Sequence, residues 1–271
     1  VDKVSLFCFG ASYFIALLFH LLNQWKQQRW FYIFEIGFAS AGIIAQSIYL
    51  SYWQPPLATQ YGWFLLSSWL LIAFYVYSTL NYRQIAWGLF ILPLVLVLII
   101  SAAVFSFPTD TIGNKLNGLV LNTKVFGWIH VFFLLTATLA TFLASLSSLM
   151  YLLQSYQVRN KFAPGAGVNL LNLEKLEVGI RYGIAIGFPL LSVGLLTGLL
   201  LLLQVADKIQ GWWDPRVISS FVLWLSFANL VYARYGLHMR GKKLAWVTIS
   251  AFVLLLVCLA LPHQIPMEVG K

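Results

Sequence analysis

The chain has 271 residues, 61% hydrophobic and only 9% charged, with a formal net charge of +9. Soluble domains carry about 25% charged residues, so this composition excludes a water-soluble globule. The positive balance fits basic loops at a membrane surface rather than a nucleic-acid interface. The two cysteines, Cys8 and Cys258, lie inside apolar stretches and form no Cys-x-x-Cys, which implies neither a thiol-redox pair nor a zinc knuckle.

In chain order, apolar blocks predict eight transmembrane helices: Val4–Asn23, Phe31–Tyr52, Gly62–Leu80, Ile85–Phe107, Val125–Leu153, Tyr182–Val205, Val217–Tyr235 and Leu244–Leu261. Each approaches the roughly twenty residues that carry a helix across a bilayer core. The first block has no basic leader and no small-residue cleavage site, so it reads as a span rather than a signal peptide. The fifth is long enough to tilt or to project beyond the bilayer. Period-two alternation is absent, which argues against a barrel. The expected fold is all-α: a polytopic membrane bundle in one integral domain over residues 1–271, with four spans in 4–107 and four in 125–262.

Orientation follows from the basic residues. Eleven of the 17 Lys and Arg fall in one set of loops: Lys26, Arg29, Arg83, Arg159, Lys161, Lys175, Arg181, Arg234, Arg240, Lys242 and Lys243. The positive-inside rule puts these in the cytoplasm and both termini on the outer face of a plasma (inner) membrane. Tryptophans such as Trp25, Trp30 and Trp246 fall at the span ends, where an aromatic belt is expected.

A histidine in or beside a transmembrane helix is a functional candidate. The topology sorts the four into an outer pair, His130 and His263, and an inner pair, His20 and His238. Neutral imidazole is a good axial ligand for haem iron. The outer loop after span six reads Gln210-Gly211-Trp212-Trp213-Asp214-Pro215-Arg216. Its adjacent indoles offer flat apolar platforms, Arg216 suits a propionate, and Asp214-Pro215 reads as a helix start. An aromatic belt with a helix cap explains the same residues. In span six, Gly179, Gly183, Gly187, Gly194 and Gly198 lie largely on one face, the pattern of close helix packing, and Pro189 introduces a kink.

Gly211-Trp212-Trp213-Asp214-Pro215-Arg216, with Trp224 and Arg234 downstream, resembles the tryptophan-rich segment of the CcsA/CcmC/HemX family of cytochrome c assembly proteins. So do Asn172-Leu173-Glu174-Lys175-Leu176-Glu177, Gly187-Phe188-Pro189, Gly194-Leu195-Leu196-Thr197-Gly198, Trp128-Ile129-His130-Val131, Leu149-Met150-Tyr151 and Gly241-Lys242-Lys243-Leu244-Ala245-Trp246. The good match covers about residues 125–260, with Gly62-Trp63, Trp69 and Leu92-Pro93 as weaker echoes. The resemblance implies haem (haem b) held on the outer face by His130 and His263, with Trp212, Trp213, Asp214 and Arg216 around it. It also implies a ResB/CcsB-like membrane partner and an apocytochrome c. No hydrolytic triad, phosphate loop or metal-ligand spacing stands out, so the chain is not expected to be an enzyme on its own. Two departures point toward the HemX/YpjD branch. Tyr232 stands where the family carries a transmembrane histidine, and Val217 where it carries a glutamate.

Three readings follow. The first is haem presentation for cytochrome c biogenesis, and the second a non-catalytic regulator or scaffold of the HemX/YpjD type. The third is a small-molecule transporter, which the absence of a mid-membrane charge disfavours; Glu35 lies near the inner end of span two.

Overall fold

The computed structural model describes residues 6–26, 28–53, 60–82, 85–104, 121–161, 168–205 and 215–260. Among these, eight α-helices follow one another without a strand: α1 (Leu6–Lys26), α2 (Arg29–Trp53), α3 (Gln60–Asn81), α4 (Gly88–Val104), α5 (Leu121–Arg159), α6 (Leu173–Val205), α7 (Pro215–Val231) and α8 (Lys242–Ala260). A π-helical turn, Tyr232–Gly236, extends α7. Each of the eight expected spans coincides with a helix. Six are long and apolar enough to cross a membrane, and Gly88–Val104 is a shorter apolar helix. The chain is a multi-pass membrane protein.

Two helices outrun their expected spans. At about 1.5 Å per residue, the 39 residues of α5 reach about 58 Å, nearly twice the bilayer core. Hydropathy marks only the apolar middle of such a helix. The second, α6, begins at Leu173, nine residues before the expected Tyr182, because its first turns are polar; Glu174 there suits the positive end of the helix dipole. Pro189 sits inside α6 and Pro93 inside α4 without ending either helix.

The chain divides into two compact units, Val1–Pro108 with Gln154–Asn172, and Thr109–Leu153 with Leu173–Lys271. Both turn outward a skin of exposed apolar side chains, such as Phe14, Ile44 and Val97 in unit 1 and Leu196, Phe221 and Val253 in unit 2. A bilayer accepts that surface, and water does not. Trp25, Trp30 and Trp246 stand exposed at helix ends, as an aromatic belt requires.

In unit 1, α1 and α2 form a hairpin turned between Lys26 and Arg29, and α3 and α4 form a second. Phe9, Ala16, Leu65, Ile72, Ile91 and Val95 fill the core between them. Buried polar groups tie the helices together: Gln46 accepts from the Tyr13 hydroxyl at 2.7 Å and donates to Ser68 Oγ at 2.8 Å and the Leu65 carbonyl at 3.0 Å.

In unit 2 the glycines of α6 lie along α5. A Cβ placed on Gly183 would stand 2.6 Å from Ala144 Cβ and 2.9 Å from the Ala140 carbonyl oxygen, and one on Gly179 would stand 2.7 Å from Ser147 Oγ. The stripe is close helix packing, the small-residue contact that brings two backbones together in lipid. The α7 helix joins α6 through Trp224, whose indole N–H donates to Ser192 Oγ at 3.0 Å while its ring leans on Phe188 and Phe221. The α8 helix meets α5 through an edge-on Phe142–Phe252 pair with ring centroids 5.8 Å apart.

Candidate functional site

His130 is placed by the same glycine stripe. It lies on α5, half-buried, and its Nδ1 is 2.7 Å from the carbonyl oxygen of Gly194. A carbonyl only accepts, so Nδ1 carries the proton, and the neutral ring presents its lone pair at Nε2. Thr197 Oγ1 stands 3.5 Å from Nδ1 and itself donates to Gly194 O at 2.8 Å. Nε2 has no hydrogen-bond partner among the described residues. Gly198 makes the space: a Cβ there would fall 2.6 Å from the ring's Cε1. The Gly194–Gly198 segment thus does two jobs, fixing the tautomer through one carbonyl and clearing room for the ring. This is the arrangement a histidine needs to ligate a metal through Nε2, its orientation set by a hydrogen bond on the other nitrogen.

Of the other expected site residues, Trp212, Trp213, Asp214 and His263 lie outside the described residues. Arg216 is the second residue of α7, which begins at Pro215 as the Asp-Pro pair predicts. No group of three or more His, Cys, Asp or Glu side chains suited to a metal ion occurs among the described residues. The donor set on view is therefore one imidazole with a free Nε2. That suits an axial position on haem, where the porphyrin supplies four nitrogens, and does not suit a bare ion.

The opposite end of unit 2 brings together three more of the matching segments. The Arg234 guanidinium lies 3.5 Å from Glu177 Oε1 and donates to the Met239 carbonyl at 3.0 Å. Gly241 adopts φ +67°, and a Cβ on it would stand 3.0 Å from the Tyr151 hydroxyl. Tyr151 follows His130 by 21 residues on α5, about 32 Å, so the two clusters mark the two ends of a bilayer-spanning unit.

The inner histidines do not behave as a pair of ligands. His238 is exposed, holds a positive φ of 53°, and Nδ1 caps the π-turn through the Gly236 carbonyl at 3.1 Å. Tyr232 is 60% exposed and leaves no imidazole at that position. His20 is the larger departure. It belongs to unit 1, is only 6% exposed, and its Nδ1 lies 2.8 Å from Oε1 of Glu35, itself 1% exposed. The Tyr75 hydroxyl donates to the same carboxylate oxygen. Unit 1 therefore carries an enclosed acidic group: Glu35 lies near the span end, as expected, but is buried with partners on two other helices. A sequence signal for the pairing exists: His20 lies six residues before the end of α1 at Lys26, and Glu35 six after the start of α2 at Arg29. In a tight helical hairpin, equal distances from the turn mean equal depth.

The chain is similar to known proteins over most of its length. The sequence profile of the family described as "Cytochrome C assembly protein" matches residues 57–261. That match begins well before residue 125 and takes in Gly62-Trp63, Trp69 and Leu92-Pro93. A "Cytochrome c biogenesis protein CcsA" of Guillardia theta is 25% identical over 275 aligned residues, 90% of this chain and 89% of that protein. One from Prochlorococcus marinus is 31% identical over 107 residues, 38% of this chain and 32% of that protein. Another from Crocosphaera subtropica is 36% identical over 92 residues, 32% of this chain and 26% of that protein. The chain thus spans about a third or less of the length of these last two relatives. No solved structure matches it significantly. With a family profile covering most of its residues and a relative aligned almost end to end, the chain belongs to the cytochrome c assembly protein family.

Proposed function

We propose that this protein holds haem at the outer end of unit 2 and supports cytochrome c biogenesis in the plasma (inner) membrane. The observation that carries the reading is the Nδ1–Gly194 hydrogen bond of His130, which leaves Nε2 as a free lone pair beside a glycine-cleared space. In this reading His130 and His263 would hold the haem iron. Trp212 and Trp213 would cover a porphyrin face, Arg216 would bind a propionate, and Asp214 belongs to the same haem-binding segment. Haem b, when bound, supplies the iron and the vinyl groups that accept the thiols of apocytochrome c. The chain's own part would be to bind and orient the haem and to hold its iron through His130 and His263. Attachment would involve a ResB/CcsB-like membrane partner, so the chain would not act as an enzyme alone.

The test is an absorbance spectrum of the purified chain before and after haem addition. His130→Ala should lose at least tenfold in haem retention, and imidazole in the buffer should restore a six-coordinate spectrum. A His130→Ala spectrum superimposable on the parent, before and after imidazole, removes His130 from the site.

A second reading has its own observation. Tyr232 points outward where a transmembrane imidazole would stand, which favours a regulator or scaffold of the HemX/YpjD type. A deletion strain with a normal cytochrome c profile but an altered level of a membrane partner would select it.

A further inference from the structure

The enclosed cluster of unit 1 lies outside the haem reading and shares no residue with unit 2. Its members come from three helices. His20 on α1 and Tyr75 on α3 both reach Oε1 of Glu35 on α2, while Oε2, also buried, has no hydrogen-bond partner among the described residues. The fourth helix closes the site without adding charge. Gly88 lies against the His20 ring, where a Cβ would fall 2.7 Å from Nδ1, and α4 contains no titratable side chain. Polar neighbours among the described residues include Gln24, whose Nε2 stands 3.4 Å from His20 Nε2, Tyr32, which donates to the Thr79 carbonyl at 3.3 Å, and buried Thr79 itself. Lys26 and Arg29 are exposed at the hairpin end and make no ion pair with Glu35.

Among the described residues, no Lys or Arg balances Glu35. A lone carboxylate in an apolar interior is costly, and the cheap remedy is a proton. With His20 protonated only at Nδ1 and Glu35 ionised, the cluster carries one negative charge; one added proton makes it neutral. That proton has two seats. On His20 Nε2 it gives an imidazolium–carboxylate pair, and on Glu35 Oε2 it gives a carboxylic acid, the oxygen that otherwise lacks a partner. Access toward the middle of the unit is blocked. Toward the middle of the unit the fully buried Ala16, Ala39 and Ile72 separate the cluster from the Tyr13–Gln46–Ser68 layer, about 10 Å away along α1. Toward the hairpin end stand Gln24 and Tyr32, both only part-buried.

We propose that His20, Glu35 and Tyr75 form a proton-binding site in unit 1 that exchanges toward the Lys26–Arg29 end. Uptake adds one proton from solvent and breaks no covalent bond; on the His20 seat it replaces the lone pair that accepts from Gln24 Nε2, so the Gln24 amide must turn its oxygen to the ring. Release leaves the charge on Glu35, held by the Tyr75 hydroxyl.

The test is infrared difference spectroscopy on the full chain in lipid nanodiscs, with the film perfused alternately with acidic and alkaline buffer. The parent should show a buried-group band, either a protonated-carboxyl stretch or an imidazolium ring mode, that shifts in heavy water. Glu35→Gln should abolish it, and Tyr75→Phe, which removes one hydrogen bond to the carboxyl, should move a carboxyl band to higher wavenumber or alter the imidazolium mode. His20→Gln should leave only the carboxyl signature. Superimposable spectra for the parent and Glu35→Gln overturn the proposal. Should Glu35→Gln not fold, Tyr75→Phe decides: a band identical to the parent's overturns it, and a displaced band supports it.

Discussion

The two units solve the same problem, holding helices together where water offers no hydrophobic drive, by different chemistry. Unit 1 uses side-chain hydrogen bonds deep in the protein: Tyr13–Gln46–Ser68 in its middle and His20–Glu35–Tyr75 nearer the hairpin end. Unit 2 brings the α5 and α6 backbones together over glycine, and its serines and threonines mostly bond back into their own helices, as Thr141 does to Ala137 O and Ser148 to Ala144 O. Its inter-helix polar contacts gather toward its ends, with His130 on Gly194 at one and Arg234 on Glu177 at the other. A membrane protein can thus be fastened by polar layers or by close packing, and the two should fail differently.

The largest effect should come from crowding unit 2. Gly183→Val puts a branched side chain where even a Cβ meets the Ala140 carbonyl at 2.9 Å, and backbone cannot rotate aside. Overpacking of this kind costs about 3 kcal/mol. The expected outcome is loss of most folded protein in a detergent size-exclusion profile, or a thermal midpoint lowered by many degrees. A smaller loss is expected in unit 1 from Gln46→Leu. This change strips Tyr13 of its acceptor, but Ser68 keeps its bond to the Leu65 carbonyl at 2.8 Å. One stranded buried hydroxyl costs about 1–2 kcal/mol, and hydrogen bonds between membrane helices measure at the low end of that range. A Gln46→Leu chain less stable than Gly183→Val would overturn the contrast between the units.

The sequence made the helices legible because the bilayer demands long apolar runs, and all eight appear. It did not show the polar first turns of α6 or the full reach of α5, since hydropathy is blind to helix outside lipid. His130 was legible as a rare imidazole at a span edge, and Gly194–Gly198 as a matching segment. What joined them was not, because a contact between residues 64 apart leaves no local period. Glu35 was underweighted for a different reason. Its depth matters less than its partners, and those sit on two other helices.

The smallest expected effect tests whether the glycine stripe works by distance rather than by composition. Gly187 belongs to the same face of α6 as Gly183, yet a Cβ on it meets nothing closer than Thr141 Oγ1 at 3.5 Å and Ala140 Cβ at 3.7 Å. Those are ordinary van der Waals separations, so Gly187→Ala adds contacts without displacing anything. Alanine also restricts the unfolded chain and favours helix more than glycine does, by about 0.4–1 kcal/mol. The expected outcome is an unchanged or slightly raised thermal midpoint with haem retention as in the parent. Gly198→Ala, one methyl at the other end of the stripe, should instead push the His130 ring and weaken haem retention several-fold while altering the midpoint little. If Gly187→Ala and Gly198→Ala behave alike in both measurements, the stripe is a generic small-residue surface, and the space beside His130 is not built for that ring.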